Sequence, residues 1–307
     1  MRAPDPSSVR LPGPWTHRSV SANGIRLHVA ECGAGPLVVL LHGFPEFWWS
    51  WRHQLVGLAG RGFRAVAVDL RGYGDSDKPP RGYDLWTLAG DVAGLIGALG
   101  ETRAHIVGHD WGGLIGWTVA ALHPRRLHSL SVVGAPHPLA VRRAVWADPL
   151  GQGRATASYA SAFQLPRWPE HALRADDGAR VERIMRAWAG PGWAGTEDFA
   201  AAAQRCRHAI QVPGVVHCAM EYYRWALRSQ FRGDGRRFAA AVARPAAAPV
   251  LQIHGALDPC LLSRTAAGSG RWAGGSFRHE ELTGVGHFPH QERPVETTDL
   301  LADFLAH

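Results

Sequence analysis

The chain has 307 residues, 46% of them hydrophobic and 19% charged, enough for one large buried core with an insertion or for two modest domains. Its 33 Lys plus Arg against 26 Asp plus Glu leave a charge of +7, but Lys78 is the only lysine and the arginines are spread through the chain, which argues against a nucleic-acid footprint. No apolar run approaches the ~20 residues of a membrane span, and the opening stretch MRAPDPSSVRLPGPW lacks the apolar centre of a signal peptide, so a cytoplasmic protein without a membrane span is expected.

In chain order, residues 25–30 alternate like a half-exposed early strand, and 37–41, 65–70 and 104–107 are short apolar runs typical of buried parallel strands. Each of these three runs is followed by a helical stretch, at 48–59, 85–99 and 112–122, the last stopped by His123 and Pro124. A further strand is expected at 127–133. From Pro138 to about Pro249 the alternation gives way to helical segments rich in Trp, Tyr, Arg and Ala and broken by Pro166, Pro169, Pro191 and Pro213. That stretch is too long for a loop and reads as a helical cap with hinges near 135–138 and 244–249. Strands at 250–253 and 277–282 and a closing helix at 294–305 complete the pattern. The fold class expected is α/β: a mostly parallel sheet flanked by helices, with core residues 1–137 and 246–307 and a cap at 138–245.

Residues 108–113 read GHDWGG, a strand, a glycine-flanked turn and a helix, with Asp110 at the apex where a nucleophile elbow presents its attacking side chain. Asp is also a favoured helix N-cap, so the turn alone does not decide. A base and an orienting acid should follow in chain order. His287, in GVGHFPHQERP, is favoured over His254 and His290 as the base, and Asp258, in GALDPC, over Asp148 as the acid. A carboxylate nucleophile is already anionic at neutral pH and attacks saturated carbon directly, which gives an ester of Asp110. Main-chain N–H groups of Trp111 and Phe44 are the expected oxyanion donors when water later attacks that ester, and Pro45 is a candidate cis proline. Cys32, Cys206, Cys218 and Cys260 are widely separated with no CxxC pair, so neither a metal site nor a disulfide scaffold is expected.

HGFPEFWWSWR, DLRGYGDSDKP, GHDWGG, GALD and GVGHFPHQERP together resemble the α/β-hydrolase-fold epoxide hydrolases from Gly24 onward. The resemblance implies that two cap tyrosines hold and protonate the epoxide oxygen. Tyr159, opening YASAFQLP, and Tyr223, in EYYRW, match those positions. Glu221 departs from the family's asparagine and leaves Tyr222 as a stand-in for Tyr223. The implied substrate-binding set is Phe44, Trp111, Tyr159 and Tyr223. The implied reaction takes an apolar epoxide and water to a vicinal diol, with no cofactor, no nucleic acid, a detoxifying role and a homodimer left open. A haloalkane dehalogenase using the same aspartate is the alternative.

Overall fold

The computed structural model describes residues 3–306. One eight-stranded sheet runs in the order β1-β2-β4-β3-β5-β6-β7-β8, formed by β1 (Thr16–Ala22), β2 (Ile25–Cys32), β3 (Leu37–Leu41), β4 (Arg64–Val68), β5 (Ala104–His109), β6 (Leu127–Val133), β7 (Val250–Gly255) and β8 (Phe277–Leu282). The β1–β2 and β2–β4 pairs are antiparallel, and every later pair is parallel. All five residues of β3 are buried, as a central strand covered on both faces requires, whereas β1 alternates and sits at the edge. β1 lies outside the elements expected from the sequence, because THRSVSA has too few apolar residues to stand out.

Helices α1 (Arg52–Ala59), α2 (Leu85–Ala98) and α3 (Trp111–Leu122) connect the strands. The stretch expected to be helical from Trp48 opens as a 3-10 turn, Trp48–Trp51, before α1 begins. Asp84 caps α2 by accepting from the Thr87 N–H at 2.9 Å. Between β6 and β7 lie α4 (Pro138–Ala147), α5 (Arg154–Ala160), α6 (Trp168–Trp188), α7 (Pro191–Ala194), α8 (Glu197–Gln211), α9 (Val215–Ser229) and α10 (Gly233–Val242). Four residues, Ala175, Asp176, Asp177 and Gly178, leave helical geometry and break α6 into two pieces. After β7 come α11 (Ser263–Ala267), α12 (Pro289–Glu292) and α13 (Pro294–Leu305). No helix among the described residues is long and apolar enough to cross a membrane. The four cysteines are free; Cys206, Cys218 and Cys260 are buried, and Cys32 is half-buried, its thiol donating to the Pro14 carbonyl.

β3, β5, β7 and β8 point the same way, so the loops that leave their carboxyl ends meet at one edge of the sheet. The turn after β5 is wedged there. A Cβ on Gly112 would lie 2.1 Å from the Leu41 carbonyl oxygen, and one on Gly113 would lie 2.3 Å from the Ala135 Cβ. α3 can therefore start this close to β3 only with glycine at those positions. Gly112→Ala should cost about 1–3 kcal/mol or more and lower the melting temperature by about 5 °C. Gly192→Ala, whose Cβ would meet nothing within 4 Å, is the control. Equal melting of the two variants would refute this account of the turn.

Candidate active site

Asp110 follows β5 with φ 47° and ψ −115°, a conformation that non-glycine residues adopt at a cost of roughly 1–3 kcal/mol. Its N–H bonds the Val133 carbonyl at 3.2 Å, and the Gly112 N–H bonds the His42 carbonyl at 3.1 Å, so both neighbouring strands hold the strained turn. The side chain does not cap α3. Instead Asp110 Oδ2 accepts the Phe44 N–H at 3.0 Å. Gly43 lets that loop approach, since a Cβ there would lie 2.5 Å from the Asp110 Cβ. The Phe44–Pro45 peptide is cis. Burial raises the Asp110 carboxyl above its usual value, and His287, His109 and the N–H groups of Phe44 and Trp111 pull the other way.

His287, from the loop after β8, pairs through Nδ1 with Asp258 Oδ2 at 2.8 Å. The other oxygen of Asp258 accepts the N–H groups of Cys260 and Leu261 at 2.8 and 3.0 Å, which fixes the carboxylate plane. Burial disfavours the imidazolium, but the Asp258 charge and hydrogen bond, helped by Asp110 and Glu46, raise His287 to about 9. Burial likewise opposes the charge on Asp258, and His287 reverses it, holding the acid below the normal range. Asp148 and His254 have other partners. Asp148 caps the turn after α4 through the Gly151 and Gln152 N–H groups and pairs with Arg264, while His254 Nε2 is committed to the Leu261 carbonyl.

Tyr223 on α9 lies over the elbow, its ring 5.1 Å from Trp111, 5.6 Å from Phe44 and 4.9 Å from Phe163. The Tyr159 ring on α5 is 6.2 Å from Tyr223 and 5.4 Å from Trp188. Burial raises both phenols well above 10, and the Asp110 charge adds to it in each. The Tyr222 ring also lies 5.4 Å from Trp111, but its hydroxyl is turned away and donates to the Arg71 carbonyl at 2.7 Å. Successive helical residues point about 100° apart, so only one of the pair can look into the site. Glu221 turns outward to Arg224 and Arg228.

Sequence reasoning missed the charged layer beneath. His109 donates from Nδ1 to Glu46 Oε2 at 2.7 Å and from Nε2 to the main-chain carbonyl of His287 at 2.8 Å. Burial would raise Glu46, yet His109 and His290 hold it well below its usual value. Glu46 Oε1 accepts Gln291 Nε2 at 2.6 Å; Gln291 Oε1 accepts Arg52 at 2.7 Å; and Arg52 reaches both oxygens of Asp198 on α8 at 2.7 Å. The signal was present, for Glu46, His109 and Gln291 stand inside the motifs quoted for their neighbours. Three donors suited to a metal also gather within 4.8 Å at Glu46, His109 and His290, and again at Asp258, Cys260 and His287. In each group the carboxylate already accepts N–H donors.

A family model described as alpha/beta hydrolase fold matches residues 36–294. The chain is 39% identical over 213 residues to the "AB hydrolase superfamily protein YfhM" of Bacillus subtilis (strain 168), covering 68% of this chain and 72% of that protein. It is 32% identical over 326 residues to "Epoxide hydrolase 2" of Siraitia grosvenorii, covering 94% of this chain and 98% of the relative. Among solved structures, the "Epoxide hydrolase from an endophytic Streptomyces" matches with a TM-score of 0.80 at 30% identity over 96% of each chain.

The raised His287 makes a signed prediction about stability. A folded value of about 9 against an ordinary 6.5 means the His287–Asp258 pair stabilises fully below 6.5 and loses that contribution as pH rises through about 9. Urea unfolding of wild type and His287→Gln should therefore show a gap that narrows over this window. A gap that is constant, or that widens with pH, would contradict the pairing.

Proposed function

This chain belongs to the α/β-hydrolase fold family, and from that premise we propose that it is an epoxide hydrolase that adds water to an apolar epoxide to give a vicinal diol. The observation that carries the reading is a buried carboxylate, Asp110, with two phenols, Tyr159 and Tyr223, above it and the His287–Asp258 pair beside it. The helices between β6 and β7 act as the cap that supplies those phenols.

Asp110 attacks one ring carbon from the side opposite the tyrosines. The C–O bond of the epoxide breaks, an ester bond forms on Asp110, and a phenol proton passes to the alkoxide oxygen. A phenol serves because it donates strongly while staying neutral at pH 7. Esterification removes the Asp110 charge, one of the charges that raise His287, so the imidazolium releases its proton more readily once the intermediate exists, and that proton restores the phenolate to the neutral phenol. Neutral His287 then takes a proton from water, which attacks the ester carbonyl. The N–H groups of Phe44 and Trp111 receive the developing oxyanion, each typically contributing about 3–4 kcal/mol. Collapse breaks the ester C–O bond, the hydroxyl delivered by water gives its proton to the departing alkoxide, and the diol leaves with Asp110 again a carboxylate and His287 again protonated.

Trp111 also offers a buried indole N–H with no partner, the kind of donor a departing halide would use. A dehalogenase, however, leaves the two phenols without a task, and Phe44 brings no side-chain donor to the place where many dehalogenases carry an asparagine.

One turnover of a styrene-type epoxide in heavy-oxygen water should place the label in Asp110 and leave the first diol unlabelled. Label in that diol would exclude the ester. Tyr223→Phe should slow ring opening about a hundredfold, whereas Tyr222→Phe, which loses a buried hydrogen bond remote from the carboxylate, should lower thermal stability and leave ring opening nearly unchanged. Stopped-flow tryptophan fluorescence separates the two outcomes, and the reverse ranking would reassign the tyrosine.

A further inference from the structure

Ten large apolar side chains stand exposed among the described residues, and four of them, Trp146 (77%), Leu150 (81%), Leu165 (49%) and Trp168 (43%), fall within residues 146–168. Monomeric proteins scatter such residues singly. Here they gather in the stretch of chain that carries Tyr159. The stretch is also one-signed. Residues 138–168 hold Arg142, Arg143, Arg154 and Arg167, all exposed, and a single acid, Asp148, whose charge is met by Arg264. Arg143 and Trp146 follow i, i+3 spacing along α4 and share its outward stripe, and Leu150 stands exposed in the turn that follows. Ala140 faces inward.

We propose that this face, led by Trp146 and Leu150 and flanked by Arg142, Arg143 and Arg154, docks on the surface of an anionic phospholipid bilayer. The chemistry is that of an interfacial helix: Trp and Leu enter the headgroup boundary, and arginines at the same level meet lipid phosphates. Charge chooses the occupant. A second copy of the chain docked face to face would bring the same arginines against each other with Asp148 already neutralised, whereas an acidic lipid surface complements them. Docking there would set the segment bearing Tyr159 against the phase in which apolar molecules concentrate. The assignment concerns binding and stands independently of the reaction.

The test is co-sedimentation of the full chain with vesicles of phosphatidylcholine alone or mixed with phosphatidylglycerol, at low and high salt. Wild type should sediment with the anionic vesicles, lose that binding in high salt, and stay in solution with phosphatidylcholine. Trp146→Ser/Leu150→Ser and Arg142→Glu/Arg143→Glu should each weaken binding about tenfold or more while circular dichroism stays unchanged. Failure of wild type to bind anionic vesicles would overturn the proposal. Equal binding by the Trp146→Ser/Leu150→Ser protein would also overturn it, by showing only the pull of the overall +7 charge. A concentration-dependent dimer in solution that this double substitution abolishes, without vesicle binding by wild type, would assign the face to a second copy instead.

Discussion

A carboxylate held in a dry, strained turn is the constraint around which the molecule is arranged. Asp110 is buried, and burial alone would drive it toward the neutral acid, which the attack on carbon proposed above could not use. That pKa rise is opposed by positive and dipolar neighbours drawn from separate parts of the chain: the His287 imidazole after β8, the Phe44 N–H after β3 and the Trp111 N–H at the start of α3. Phe44 and His287 could not reach the carboxylate unless β3, β5, β7 and β8 ran parallel and ended at a common edge. The topology thus serves the electrostatics of one side chain.

The same logic continues one layer down. Glu46 is a second buried acid, and its charge survives because His109, Gln291 and His290 surround it. His109 in turn donates to the carbonyl of His287, so the residue before Asp110 in sequence holds the backbone of His287. Networks of this kind fix geometry because removing any member strands a buried polar partner, at about 1–3 kcal/mol or more. Arg52 extends the chain outward to Asp198 on α8, burying its guanidinium between Gln291 and the helical insertion, with Trp49 4.1 Å below it.

A second clamp works at the other end of the insertion. Gln152 is fully buried; its amide donates to the Cys260 carbonyl at 2.8 Å, and its oxygen accepts the Leu262 N–H and the Thr265 hydroxyl, each at 2.9 Å. The loop so held is the one that carries Asp258, and the helix that follows Gln152 carries Tyr159. The insertion is therefore joined to the core by a part-buried Arg52–Asp198 pair and by the buried hydrogen bonds of Gln152. In the reaction proposed here, that joining sets the phenols against the carboxylate.

The alternation of apolar strands and amphipathic helices, the glycine-flanked elbow, and the chain order of Asp110, Asp258 and His287 could all be read from the residues, because each depends on local periodicity or on the sterics of a short turn. β1 escaped notice, since an edge strand with one wet face carries little apolar signal. Which of Tyr222 and Tyr223 looks into the site was not legible: adjacent residues on α9 differ only in the face they present, and that is decided by what packs against the helix. Glu46, His109, Gln291 and Arg52 stood in recognisable motifs, but their partnership joins residues up to 245 positions apart. Hydrogen-bond partners across such distances exist only after the sheet has brought the loop ends together, so local pattern determined most of the elements and the turn that presents Asp110, and tertiary packing alone determined which charges Asp110 would meet.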